Sequence, residues 1–334
     1  MLEAVFASLI RIPRYVLAMP NTGPIVTVDQ MITYYGRLRE LAYEVADHNV
    51  DFVMTLYLSP NTTPSDIEQM ARLPFPCGVK YYPPEQGATT GSGIGVPLTE
   101  CENVLRAMAA NTIPLLGHFE SVKDKNGNVL PPAEREGYMV DNVLWGFRDE
   151  HPDLRISFEH ASTRKAVGWY RADSSGKSFI TVTPQHSLLI QPDREHFGYD
   201  LDCMPVVKGE DDREAIIDLI TSGHGGAGGD EAPHPHQKKL EGAHGCWTPH
   251  APEMYAEVFD SRGKLGEPEF ERFMSLNAPA WWGLPLPDEL DTITFVRKEG
   301  VVPDPLRIPN SDDVIVPLGW SPDGSLYRTK FQVI

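Results

Sequence analysis

The chain is expected to adopt an α/β fold, a parallel (β/α)8 barrel, on three observations. Strand-like and helix-like patterns alternate six times with short connections between them, the order of a parallel sheet flanked by helices. No Gly-x-Gly-x-x-Gly follows a strand and opens a helix, so a doubly wound dinucleotide fold has no phosphate loop to support it. Lysine, histidine, asparagine and aspartate recur where the strands end, the rim at which (β/α) barrels carry their chemistry.

The elements follow in order. Leu2, Val5, Phe6, Leu9 and Ile10 share one face at helical spacing, so the chain is expected to open on a helix with no strand before it. Residues 15–19 form a short apolar strand closed by Pro20-Asn21-Thr22-Gly23-Pro24, a loop signal. Met31, Ile32, Tyr35, Leu38 and Leu41 define a helix over 28–46, and the apolar run 52–58 reads as a buried strand. Thr63-Pro64-Ser65-Asp66 is helix-start chemistry, a hydroxyl before proline with an early acid. Further strands are expected at 76–83, 113–118, 154–160 and 179–183, with helices at 99–110, 138–148, 163–172 and 211–221. Beyond Leu284 the pattern weakens to short strands at 292–296 and 314–316. The expected division is a barrel over 1–285 and a tail over 286–334 packed on it. There is no internal repeat and no low-complexity tract.

Bulk properties narrow the function classes. With 334 residues and 41% hydrophobic content, the chain can bury a large core in one large domain or two ordinary ones. A formal charge of -18 and a pI near 5.0 argue against nucleic acid and anionic membrane surfaces, since both call for clustered basic residues. A small anionic substrate stays open, because it responds to the local field of its pocket. Cys77, Cys101, Cys203 and Cys246 show no CxxC spacing, which disfavours a zinc ribbon or redox motif. A large, cysteine-poor chain suits a reducing cytosol better than a disulfide framework. No apolar run approaches the roughly 20 residues that span a bilayer. Residues 1–10 lack a basic leader and a cleavage site. A soluble, cytoplasmic protein acting on a small molecule is expected, as a homodimer.

Lys80 lies in the middle of the strand Pro76-Cys77-Gly78-Val79-Lys80-Tyr81-Tyr82-Pro83. Lysine is almost never fully buried unless something pairs with it. Either Lys80 snorkels to solvent from a strand end, or it is neutralised, ion-paired or chemically modified. Other strands end in Asn21, His118 and His160, and a glycine-rich stretch ends in Asp230. Singly, each has a plain structural explanation: a hydrogen-bonded histidine, or a turn acid before a helix. Together, two histidines, an acid and a lysine supply the nitrogen and oxygen donors that zinc prefers. Carbon dioxide converts a neutral lysine amine into a carbamate able to bridge two cations, and burial favours the neutral amine. Two bridged cations would hold a hydroxide and polarise a carbonyl.

At these residues the chain resembles a family: dihydroorotase of the bacterial single-function type, in the amidohydrolase superfamily. Matching segments run from about Met19 to Pro285. They include Met19-Pro20-Asn21, Gly78-Val79-Lys80-Tyr81-Tyr82-Pro83, Ala88-Thr89-Thr90, Phe158-Glu159-His160 and Thr183-Pro184-Gln185-His186. Asp230-Glu231-Ala232-Pro233-His234, Asn277-Ala278-Pro279 and Gly283-Leu284-Pro285 complete them. Any one is a loose match; their order and spacing together are specific.

The resemblance implies a TIM barrel of the metal-dependent hydrolase type that interconverts N-carbamoyl-L-aspartate and L-dihydroorotate in pyrimidine synthesis. It implies two zinc ions per subunit, with Lys80 as the carboxylated bridging ligand and His118 and His160 on the second metal. Asp230 would bind the first metal. It would also act as general base to the bridging hydroxide and then as acid to the leaving nitrogen. Asn21 and His234 would contact the substrate carboxylate. Thr89 and Thr90 would tip a loop that closes over substrate. The backbone of Met204 would read the ring edge, with Ala232 and, by a looser alignment, His244 as further substrate contacts.

Two features depart from the family pattern. The family carries His-x-His and an arginine on its first barrel strand, and this chain has none there; His234-Pro235-His236 belongs to the eighth strand's end. The missing segment is expected just upstream of Met1, and the chain without it is expected to hold the first metal weakly and to turn over little. The second departure is Gly223-His224-Gly225-Gly226-Ala227-Gly228-Gly229, where an apolar strand is expected and glycine weakens one. Two other readings stand beside the first: a non-catalytic homologue that keeps the fold, and another cyclic-amide hydrolase of the hydantoinase or allantoinase kind.

Overall fold

A computed structural model describes residues 2–21, 23–84, 94–286 and 292–334. Seven parallel strands follow one another in sequence order, β1 to β7, as a (β/α) chain requires. The chain divides into two compact units: residues 13–159 with 168–180, and residues 1–12 with 160–167 and 181–334.

The first unit holds β1 (Tyr15–Ala18), β2 (Asp51–Tyr57), β3 (Cys77–Tyr81), β4 (Leu115–Gly117), β5 (Ile156–Phe158) and the opening of β6 (Ser178–Val182). Its register sets Tyr57, Lys80, Leu116, Ser157 and Phe179 in one row across neighbouring strands. All of β3 is buried, as is β2 after its first residue. Strands covered on both faces explain the continuous apolar runs read from the sequence. Helix Val28–Val45 begins in a capping box, with Thr27 and Gln30 each accepting the other's backbone N–H. Helix Pro64–Met70 begins the same way at Thr63 and Asp66. These boxes satisfy N–H groups that a helix start otherwise leaves orphaned.

One helix differs from its expected bounds. In place of a single helix over 138–148, an α-helix starts at Pro132, passes through a π-turn at Val140–Leu144 and continues as Trp145–Glu150. Pro132 fits a first turn, where its missing N–H is not needed, and the apolar pattern alone hid that earlier start.

The second unit contains the end of β6, which pairs with β7 (Gly226–Ala227) through Thr181 and Val182. The expected apolar strand is here only two residues long, and side chains from elsewhere hold it. Asn277 Nδ2 donates to the carbonyls of Gly223 and Gly225 at 2.9 and 2.8 Å. The Tyr255 hydroxyl reaches the carbonyls of Val182 and Gly228 at 2.5 and 2.8 Å. Polar anchoring thus stands in for the side-chain packing that glycine cannot supply. Tyr255→Phe keeps the ring against Phe273 and removes that anchor, so urea unfolding should show a loss of about 1–3 kcal/mol.

The same unit carries the tail. Strand β8 (Phe295–Val301) pairs antiparallel with β11 (Arg328–Val333), and β9 (Leu306–Arg307) with β10 (Val314–Ile315). The tail is tied to helix Ala251–Ser261 through Glu257, which accepts from the Tyr327 hydroxyl and the Lys330 N–H, and through an Arg297–Asp260 ion pair. Of the expected tail strands, 314–316 is found nearly in place, while of 292–296 only the last two residues lie in a strand, the start of β8 at Phe295.

Candidate active site

In the first unit Lys80 is 1% exposed, so it does not snorkel to solvent. Its Nζ lies 5.2 Å from the centroid of the Tyr82 ring, within cation–π range. Tyr82 stacks on Tyr57 at 5.1 Å, and its ring centroid lies 6.0 Å from that of the His118 imidazole. His118 directly follows β4, its backbone N–H donating to the Tyr81 carbonyl at 3.0 Å. Its Nε2 lies 2.6 Å from Glu120 Oε2, and both side chains are buried. A carboxylate on one ring nitrogen fixes the tautomer and orientation of the imidazole, as it does for metal-binding histidines. Glu120 escaped the sequence reading. The pair meets because the Glu120 N–H donates to the His118 carbonyl at 3.1 Å, a tight turn after β4 that the apolar pattern does not signal. Asn21 sits half-buried in the turn after β1.

The second unit holds the remaining candidates. His160 is buried and follows β5; its backbone N–H donates to Thr181 Oγ1 at 2.8 Å. Its φ is +44°, and that of Asp230 is +46°. Among the described residues the only other non-glycine positions with positive φ are Thr112 and Asn310. Left-handed backbone costs energy outside glycine and is enriched at functional sites. Two of the four such positions are therefore the proton-shuttle and metal-ligand candidates chosen from sequence.

Around Asp230 the chain is drawn tightly together. The Ala232 N–H donates to the Cys246 carbonyl at 2.9 Å, and the Gly245 N–H to the Asp202 carbonyl at 2.8 Å. His234 Nε2 donates to the His244 carbonyl at 3.1 Å. Glu231 accepts both the N–H and the hydroxyl of Thr248 at 2.7 Å. Desolvation pushes the Glu231 carboxyl up to about 7, against the pull of those two bonds. The backbone approach is so close that a Cβ on Gly245 would lie 2.4 Å from the Ala232 carbonyl oxygen. Gly245 also has φ +151°, where a side chain is disfavoured.

On the far side, His186 binds the Pro205 carbonyl through Nε2 at 2.8 Å and accepts from the Thr183 hydroxyl through Nδ1 at 2.6 Å. The Thr183-Pro184-Gln185-His186 motif therefore braces the segment that carries Met204. Met204's segment, Ala232, His234 and His244 are thus brought together within one unit. Burial, and secondarily the Lys239 ammonium, hold His234 below the usual imidazole range.

Lys80 and His118 belong to the first unit, and His160 and Asp230 to the second. Thr89 and Thr90 lie outside the described residues. Among the described residues, no three histidine, cysteine, aspartate or glutamate side chains form a ready cation-binding group. No described helix is long and apolar enough to cross a membrane.

Seven parallel strands in sequence order, joined by helices, make an α/β fold of the kind that amidohydrolases share. The L-hydantoinase (dihydropyrimidinase) of Arthrobacter aurescens shares this fold, with a TM-score of 0.69 at 16% identity over 84% of this chain and 66% of that one. No family model matches the sequence. The dihydroorotase of Alkalilimnicola ehrlichii is 37% identical over 315 residues, covering 90% of this chain and 86% of the relative. The Saccharomyces cerevisiae dihydroorotase, solved in complex with 5-fluoroorotic acid, superposes with a TM-score of 0.85 at 26% identity, over 99% of this chain and 93% of that one. This chain belongs to the dihydroorotase family.

Proposed function

We propose that the chain is a cyclic-amide hydrolase that interconverts L-dihydroorotate and N-carbamoyl-L-aspartate. The observation that carries this reading is the extent of the relationship, 37% identity over 90% of the chain to a dihydroorotase. The hydantoinase likeness is one of fold at 16% identity and favours no second reading.

The family is one of metal-dependent amidohydrolases, and the residues present fit such a cation by their chemistry. Lys80 is buried among aromatic rings, and His118 is already oriented by a buried carboxylate. Lys80 as a carbamate, His118, His160 and Asp230 would hold divalent cations, zinc by the mixed nitrogen and oxygen donors. When bound, the cations polarise the amide carbonyl and lower the pKa of water.

The chain's own residues supply the rest. Asp230 accepts a proton as water oxygen adds to the ring carbonyl carbon. It then returns that proton to the ring nitrogen as the C–N bond breaks, and the reverse sequence closes the ring. Asn21 and His234 bind the substrate carboxylate. Ala232 and the backbone at Met204 and His244 fix the ring edge, and Thr89 and Thr90 close over it.

An assay of both directions, with hydantoin and allantoin as controls and metal content measured on the same sample, tests the reading. Turnover of dihydroorotate in preference to the controls, at a low rate because the first-strand His-x-His and arginine are absent, is the expected result. Hydantoin turnover without dihydroorotate turnover would overturn it. Glu120→Gln should weaken metal affinity by about 10–100-fold, because the imidazole loses its charged orienting partner; competition against a chelator measures this.

A further inference from the structure

We propose that Lys239 is a positioning residue for substrate recognition, a buried ammonium that sets the backbone of 202–204 against that of 244–246. The proposal rests on the dihydroorotase reading above. Lys239 is 5% exposed, on the short helix His236–Leu240 that follows His234. Its Nζ donates to the carbonyls of Asp202 at 2.7 Å and Gly245 at 2.6 Å. Its neighbour Lys238 instead points outward and pairs with Glu241 on the surface.

The two carbonyls are well placed for such a role. Asp202 stands two residues before Met204, and Gly245 directly follows His244. Neither lies in a strand or helix, so no regular ladder fixes their separation. One bond already joins them, from the Gly245 N–H to the Asp202 carbonyl. Beside it Cys246 Sγ donates to the Asp200 carbonyl at 3.3 Å, a weak sulfur bond. An ammonium bonded to both the Asp202 and Gly245 carbonyls closes a triangle on this pair, with the greater strength of charge-assisted bonds. Because Lys239 is carried by the helix after His234, the same cation references the carboxylate-binding histidine to the ring-edge backbone.

The surrounding charges agree with this placement. The ammonium draws the Asp200 carboxyl downward against burial, which raises it on balance, and it adds to the burial that keeps His234 below its usual range. A buried lysine that served packing alone would be exchangeable for an apolar side chain of similar length. One that positions substrate contacts would not.

The test uses Lys239→Met and Lys239→Arg in the full chain with its metal. Lys239→Met should raise KM for dihydroorotate about tenfold while kcat stays within about threefold, as expected when ground-state binding geometry is loosened and the reacting groups are untouched. Amide hydrogen exchange should quicken at 203–204 and 244–246 and not in β2 or β3. Lys239→Arg, which keeps a charged donor able to reach two carbonyls, should recover part of the KM.

Unchanged KM and unchanged exchange in a folded Lys239→Met protein would overturn the proposal, as would a loss confined to kcat. If Lys239→Met does not fold, Lys239→Gln takes its place: a raised KM with faster exchange at 203–204 and 244–246 supports the proposal, and a fall in melting temperature with KM and exchange unmoved overturns it. If the wild-type protein turns over neither substrate, the functional reading fails. The exchange measurement then still decides whether Lys239 holds the two segments.

Discussion

Asp230→Asn is expected to abolish dihydroorotate turnover, by about a hundredfold to ten-thousandfold in kcat, the usual worth of a positioned general acid–base group. The choice of asparagine matters because Asp230 has φ +46°. Asparagine tolerates the left-handed region as well as aspartate does, so the loop keeps its shape while the carboxylate that would take the proton and hold a cation is lost. Alanine would confuse the two effects, since it adds backbone strain at the same position. The melting temperature of Asp230→Asn should stay close to that of the wild-type protein while kcat collapses. A variant that retains wild-type kcat would remove Asp230 from the proton path.

Lys80→Met should lower turnover by about a thousandfold or more, the scale of several kcal/mol of lost electrophilic stabilisation, and metal content should fall with it. Methionine has nearly the length of lysine and adapts to irregular cores, so β3 should keep its register between β2 and β4. The two roles open to a buried lysine separate here. A merely structural Lys80 predicts a change in melting temperature with metal and turnover retained. A lysine that acts as a ligand predicts the opposite: a folded protein with little metal. Metal analysis and calorimetry on one preparation read both.

The strands were legible because their residues are buried on both faces and read as apolar runs; β2 and β3 begin and end within two residues of expectation. The helix start at Pro64 was legible because capping is local chemistry, and that at Val28 because its apolar residues keep helical spacing. The π-turn at Val140–Leu144 was not, since it changes hydrogen-bond spacing without changing the apolar pattern. Helix Ala251–Ser261 went unread although seven of its residues are buried; two are glutamates, whose partners come from residues far along the chain. The site shows the same divide. Lys80, His118, His160 and Asp230 could be chosen because they are polar at strand ends. Thr183 and His186 were visible only as a matching motif without a role, and Glu120 and Lys239 were passed over, because their meaning lies in which carbonyl or ring they meet across the fold.

The two-residue β7 has a consequence for the order in which the protein acquires its shape. The glycine stretch before Asp230 is held by Tyr255 and by Asn277, both later in the chain than the loop they tether. A chain leaving the ribosome from its N-terminus presents Asp230 well before either anchor exists. Strands β2 to β5 can assemble from segments already made, whereas the Asp230 loop must wait until residue 277 has emerged. Contacts between distant segments form late in folding. The loop that carries Asp230 is therefore among the last parts of the second unit to take its final geometry.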